Sequence, residues 1–217
     1  LQKTLCLRKG DRVAIMMPNL LQYPVVLFGV LRAGLVVVNI NPQYTVPELE
    51  HQLKDSGAAA IVVLENFAHT LQEVLEKNPT LNLAVITTEV GDMFRVVKEL
   101  VTNVMVKYVK HMVPAWKIAG ATELNAGLRA GRGQEVDDVP LSHDDVAFLQ
   151  YTGGTTGVAK GAVLTHGNLI ANVQQMAAWM ARDLVDGKEV FVCPLPLYHV
   201  YALTSCLVFM KMGAHTV

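Results

Sequence analysis

The segment Tyr151-Thr152-Gly153-Gly154-Thr155-Thr156-Gly157-Val158-Ala159-Lys160-Gly161 holds the residues best suited to chemistry. Glycines have no Cβ, so their backbone N–H groups can come close to an anion. The hydroxyls of Thr152, Thr155 and Thr156 can rotate to donate to phosphate oxygens. Lys160 adds a positive charge. Glycines, hydroxyls and a lysine placed directly after a strand make a cradle for a triphosphate. A Walker A loop needs Gly-Lys-Ser/Thr opening a helix. Here Lys160 stands between Ala159 and Gly161 and another strand follows, so the pattern is a different one. It is not GxGxxG either. Composition alone leaves open a polar glycine turn that binds nothing.

His199, in the run Tyr198-His199-Val200-Tyr201, is the second residue with chemical potential. A histidine in so apolar a setting is more often structural than reactive. His166 falls after the glycine loop at a predicted helix start, where a structural role is expected. Trp179, Met176 and Met180 are expected to pack a helix onto the core.

These residues need a scaffold, and hydrophobic periodicity predicts one of strands alternating with helices. Arg12 to Met17 reads as a strand stopped by Pro18-Asn19, with Asn19 capping a helix that runs to about Arg32. Gly34 ends that helix. Leu35 to Val38 is apolar throughout, which suits a strand buried on both faces of a parallel sheet. Thr45 and Glu48 form a capping box for a helix ending near Ser56, which Gly57 stops. A strand at Ala60–Leu64, a helix at Ala68–Lys77 and a strand at Leu83–Thr88 follow. Met93 to Val113 reads as one long amphipathic helix, and Asn125 to Pro140 as a loop or linker. A second block then carries a strand at Val146–Tyr151, the glycine loop, a strand at Ala162–Leu164, and a helix from Thr165 to about Arg182. A strand at Val190–Cys193, a proline-rich bend and a helix near Val200–Met212 complete it. The expected fold class is α/β, with parallel-rich sheets flanked by helices through right-handed βαβ units. Residues 1–140 form a first subdomain, and residues 141–217 start a second one that carries the phosphate loop.

The chain of 217 residues is 52% hydrophobic and 17% charged, below the quarter or so of charged residues usual in soluble domains. A formal net charge of -1 supplies no basic field for nucleic acid, and no nucleic-acid partner is expected. Cys6, Cys193 and Cys206 are far apart in sequence and form no CxxC, which argues for reduced, cytoplasmic thiols. Polar residues and Pro24 interrupt the apolar stretch Leu20–Ile40, so it reads as helix, turn and strand rather than a membrane span. No signal peptide is visible, and Leu1 in place of an initiator Met suggests a processed or cut start.

The segment Tyr151–Leu169, YTGGTTGVAKGAVLTHGNL, resembles the signature phosphate loop of the adenylate-forming superfamily. That superfamily holds acyl-CoA synthetases, luciferases and peptide-synthetase adenylation domains. Gly10–Ala14 with Met17–Asn19, Gly34–Pro42 with Tyr44, Thr45, Glu48 and Leu49, and Pro194–Tyr201 are similar to other stretches of these enzymes. LQYTGGTTGVAKGA and PLPLYH look most like bacterial long-chain fatty-acid–CoA ligases. The resemblance covers nearly the whole chain and is weakest from Glu65 to Pro140.

The resemblance implies a two-step reaction. A carboxylate attacks the α-phosphorus of ATP to give acyl-adenylate and pyrophosphate, then coenzyme A takes the acyl group and AMP leaves. It implies that Tyr151, Thr152, Gly153, Gly154, Thr155, Thr156, Gly157 and Lys160 hold the ATP phosphates, bridged by Mg²⁺. It also implies that His199 orients the acid near the α-phosphate. No metal ligand is assigned within the chain. The adenine-binding stretch, ribose-binding aspartate, hinge and C-terminal lysine of the family are expected beyond Val217, so these 217 residues alone are expected to bind nucleotide weakly and not to turn over. Medium-chain or aryl acid–CoA ligation is the runner-up within the superfamily, and a non-catalytic nucleotide-binding or membrane-docking module the runner-up outside it. A homodimer is left open. Peripheral contact with the inner face of the membrane is compatible with the family. For the basic stretch containing Lys98, Lys107, Lys110, His111 and Lys117, an ordinary surface helix with its apolar face on the core is the favoured reading.

Overall fold

The computed structural model describes residues 1–152 and 159–217. Seven strands form one sheet, in the order β5-β4-β3-β1-β2-β6-β7. They are β1 (Arg12–Met16), β2 (Val36–Asn39), β3 (Ala60–Leu64), β4 (Ala84–Thr88), β5 (Thr122–Glu123), β6 (Val146–Thr152) and β7 (Lys160–Thr165). All neighbouring pairs are parallel except β6 with β7, which is antiparallel. β2 pairs directly with β6, Val37 opposite Phe148 and Asn39 opposite Gln150. The sheet therefore runs across the 140/141 boundary, while β8 (Val190–Phe191) and β9 (His215–Thr216) form a separate parallel pair.

Side chains alternate across a strand with a period of two, and here both faces are covered. Val13, Ile15 and Val37 face α1 (Gln22–Arg32), with Leu124 and Leu203 in the same cluster. Ala14, Met16, Val38, Ile61 and Val63 face α2 (Val46–Ser56) and α3 (Ala68–Lys77), through Leu49, Leu53, Leu71 and Val74. This double burial explains why the central strands read as unbroken apolar runs. The capping box of Thr45 and Glu48 is present at the start of α2. Gly57 ends the helix with a φ of 59°, a conformation that glycine adopts without steric cost.

Four local expectations are corrected. Asn19 does not cap α1, which starts at Gln22 after Leu21; its side chain is bound instead to a distant strap described below. The stretch read as a linker contains α5 (Leu124–Gly131). Leu124 is buried in the core cluster, and that tertiary contact overrides the weak helix propensity of Gly127 and Gly131. The single long helix expected over Met93–Val113 is α4 (Val96–Val104) followed by a π-helical turn at Met105–Val109. Finally, Trp179 does not pack inward. In α6 (His166–Met180) it is 86% exposed, and Leu169 is the residue of that helix which touches the core.

α4 also reverses the expected orientation. Its apolar residues do not cover the core. Val96, Val97, Leu100, Val101, Tyr108 and Val109 are exposed. The segment docks through its polar residues instead: Asn103 bonds Gly91 N and Glu89, and Lys107 pairs with Glu65 at 3.0 Å and Glu89 at 3.7 Å. The ordinary-surface-helix reading therefore fails, because the face presented to the body is the polar one.

Candidate functional site

β6 and β7 bracket the glycine-rich segment. Thr152, the last residue of β6, lies opposite Lys160, the first of β7. Both side chains are exposed, so a hydroxyl and an ammonium stand on paired positions where β6 enters and β7 leaves the glycine-rich segment. Gly153, Gly154, Thr155, Thr156 and Gly157 lie outside the described residues. Tyr151 leads into the segment by its backbone, but its side chain turns away toward α2. Its hydroxyl donates to Asp55 Oδ2 at 2.5 Å. Burial, then the Asp55 carboxylate, push its pKa well above the ordinary tyrosine value, so the phenol stays protonated. At Gly161, the second residue of β7, a Cβ would stand 3.0 Å from the Tyr151 ring, so any larger residue would press that ring aside.

His199 stands immediately before α7 (Val200–Lys211) and caps it. Its Nδ1 accepts from Tyr201 N over a long 3.4 Å. An accepting Nδ1 leaves the ring proton on Nε2 in the neutral tautomer. The side chain is exposed, so Nε2–H is free to donate to an approaching oxygen.

The strap from Cys193 to His199 is held to the sheet by side chains far away in sequence. Asn19 Nδ2 donates to Cys193 O at 3.2 Å and Leu195 O at 2.9 Å, and its Oδ1 accepts from Leu197 N at 2.7 Å. Beneath the strap lies a buried polar network. The Tyr23 hydroxyl is 2.8 Å from Asn39 Oδ1 and 2.9 Å from Leu197 O, and its single proton serves one of them at a time. Asn39 Nδ2 donates to Gln150 Oε1 at 3.2 Å, and Gln150 Nε2 donates to Tyr198 O at 2.9 Å. Gln52 Nε2 secures the Asn39 carbonyl at 2.8 Å. Tyr23, Asn39, Gln52 and Gln150 are each at most 5% exposed, where an unmade hydrogen bond is costly.

This network decides the geometry of the site. Gln150 lies next to Tyr151 at the entry to the glycine loop, and its amide holds the carbonyl of the residue before His199. The strand that enters the glycine segment and the strap residue before His199, far apart in sequence, are thereby joined at the carboxyl ends of the adjoining strands β2 and β6. Asn19, Tyr23, Asn39 and Gln150 are positioning residues that the sequence reading did not identify as such. The one available signal was polar side chains interrupting apolar strands, Asn39 after Val36–Val38 and Gln150 after Phe148-Leu149.

His166 starts α6. Its backbone N–H donates to Asp145 O at 2.9 Å, and burial lowers the proton affinity of its imidazole, opposed by the nearby Asp145. Asp145 itself is held down to about 2 by the Ser142 N–H and by Lys9. This cluster ties the start of β6 to the N-terminal segment and lies apart from the strap.

The whole chain, residues 1–217, matches the family described as AMP-binding enzyme. It is 54% identical over 214 residues to a long-chain-fatty-acid–CoA ligase of Salmonella typhimurium, covering 98% of this chain and 38% of that protein. It is 52% identical over 217 residues to the protein of the same name in Yersinia pestis, again covering 38% of it. Among solved structures, a long-chain-fatty-acid-CoA ligase from Archaeoglobus fulgidus superposes with a TM-score of 0.71 at 27% identity, covering 97% of this chain and 35% of that one. The chain thus spans well under half the length of these relatives. The family match runs along the full length of the chain, and the chain belongs to the AMP-binding enzyme family.

Proposed function

We propose that this chain forms the phosphate-binding portion of a longer enzyme that activates long-chain fatty acids with ATP and transfers them to coenzyme A. The observation that carries the proposal is the Asn39–Gln150–Tyr198 network, which ties the strand entering the glycine segment to the residue before His199. A triphosphate needs donors and positive charge, and Thr152 and Lys160 supply both at the loop mouth. Tyr151 serves by its backbone. By the family pattern, Gly153, Gly154, Thr155, Thr156 and Gly157 complete the cradle. Mg²⁺ is assigned to the phosphate oxygens, where it would offset their charge, and no ligand for it is named in this chain. His199 donates from Nε2 to the acid carboxylate or the α-phosphate, fixing the attacking oxygen in line. Coenzyme A then accepts the acyl group, a step that draws on parts of the enzyme outside these residues.

The test is acid-dependent ATP–pyrophosphate exchange by the full-length enzyme with palmitate, octanoate, benzoate and an amino acid. Strongest exchange with palmitate is the expected result. Exchange preferring another acid would keep adenylation and move the substrate, and none with any acid would overturn the reading. In the same assay, Lys160→Ala removes a charged hydrogen bond worth about 1.5–3 kcal/mol, so KM for ATP should rise roughly 10- to 100-fold. An unchanged KM would remove Lys160 from the cradle.

We also propose that the enzyme touches the membrane surface through α4 and its π-helical extension. No described helix is long and apolar enough to cross a membrane. The outward face nevertheless combines Val96, Val97, Leu100, Val101, Tyr108 and Val109 with exposed Arg95, Lys98, Lys110, His111 and Lys117. Apolar side chains flanked by cations suit an anionic bilayer surface. Replacing Lys98 and Lys110 by Gln should weaken co-sedimentation with anionic vesicles by about 2 kcal/mol in all, roughly 30-fold. Equal sedimentation of variant and wild type, or none by either, would overturn this contact.

A further inference from the structure

Cys193 and Cys206 are thirteen positions apart, yet the Cys206 thiol lies 3.4 Å from the Cys193 sulfur and donates to it. Between them run the strap and the first turn of α7, with His199 in the middle. Cys206 is buried. Burial, then the contact with Cys193, push its thiol up to about 12, so it stays protonated until a partner sulfur is activated. Cys193 is half-buried and lines an apolar cavity of about 490 Å³ with Leu20, Leu207 and Met210. A small uncharged oxidant reaches the pair from this side. The third cysteine, Cys6, is exposed and separate.

We propose that Cys193 and Cys206 are a reversible thiol–disulfide site, oxidised by hydrogen peroxide or an organic hydroperoxide, that governs the position of His199. The Cys193 thiolate attacks one peroxide oxygen. The O–O bond breaks, Cys193 becomes a sulfenic acid, and hydroxide or alkoxide leaves and is protonated. The Cys206 sulfur then attacks the Cys193 sulfur. The S–O bond breaks, the S–S bond forms, and the departing oxygen leaves as water with the Cys206 proton. Two thiols lose two electrons to one peroxide. Two thiols of an added dithiol reverse the step by exchange.

Closing the sulfurs from 3.4 Å to the bond length of about 2.05 Å draws the end of β8 toward α7. The strap is tied by Asn19 at Cys193 O, Leu195 O and Leu197 N and by Gln150 at Tyr198 O, so a displacement at Cys193 strains these contacts and is carried along the strap toward His199. A shift near 1 Å at a positioned group can cost up to about 100-fold in rate. The consequence for activity rests on the role proposed above for His199, whereas disulfide formation does not.

The full-length enzyme is treated with graded hydrogen peroxide, then alkylated and mapped by mass spectrometry while exchange activity is followed. The expected result is a cross-linked Cys193–Cys206 peptide that dithiothreitol removes. Activity should fall about tenfold or more in step with it and return on reduction. Cys206→Ala should keep its activity under peroxide and yield no such peptide, and Cys193→Ser gives the same readout should Cys206→Ala fold poorly. Separate alkylation of Cys193 and Cys206 after Cys6 is fully oxidised would overturn the site. A cross-link without loss of activity would overturn its control of His199. An enzyme with no acid-dependent exchange before oxidation would fail the ligase reading instead, and the peptide map alone would still decide the thiol pair.

Discussion

Replacing His199 by Ala in the full-length enzyme should lower kcat for acid-dependent adenylation by about 100-fold, at the lower end of what a positioned proton-bearing side chain contributes. KM for ATP should change little, because the contacts proposed for the triphosphate are those of Thr152, Lys160 and the glycine segment rather than of His199. Two effects of the residue must be separated. His199 also caps α7, and losing a side-chain cap costs about 1 kcal/mol of stability. His199→Asn distinguishes them, since Asn is a good cap but has no imidazole. The cap reading predicts that Asn restores the rate. The chemical reading predicts a stable enzyme that remains slow. A rate for His199→Asn within about twofold of wild type, far short of the contribution expected of a positioned proton donor, would remove the imidazole from the reaction.

Gln150→Leu should be nearly as damaging, by a different route. The substitution keeps the volume but leaves Asn39 Nδ2 without its acceptor and Tyr198 O without its donor. Leaving buried polar groups unmade costs about 1–3 kcal/mol each. A loss of about 2 kcal/mol in urea unfolding is therefore expected, seen as a lower midpoint with unchanged slope. Because Gln150 holds the carbonyl next to His199, kcat should fall about tenfold or more, with KM for ATP moving less. Loss of stability with unaltered kcat would make Gln150 a structural residue only. Loss of kcat and stability together, with the pH profile of kcat displaced, marks it as a positioning residue acting through His199.

The contrast between α2 and α4 shows how much of the fold local sequence carries. α2 was legible from Thr45 and Glu48 at one end and Gly57 at the other, because a capping box and a left-handed stop act within a few residues. Strands β1 to β4 were legible because burial on both faces leaves unbroken apolar runs. α4 was legible as helix but not in orientation. Its apolar stripe predicted a core-facing side, whereas Glu65 and Glu89, distant in sequence, drew Lys107 and Asn103 inward. α5 was missed because Gly127 and Gly131 read as linker, while burial of Leu124 and pairing of β5 with β4 supply the order.

The sequence by itself determined the chemistry available to this protein: a strand followed by glycines, threonines and Lys160, and a histidine after Pro194–Tyr198. Residue types and spacing within one short segment suffice for that, since a phosphate cradle is built mostly from neighbours. Only the tertiary structure decided that the strand entering the glycine segment is tied to the residue before the histidine, and by what means. Asn39 on β2 and Gln150 on β6 come together through parallel strand pairing, and Asn19 and Tyr23 reach a strap some 170 residues on. The same closure brings Cys193 against Cys206. Pairing across a sheet depends on how the whole chain packs, and no local pattern of residues records it.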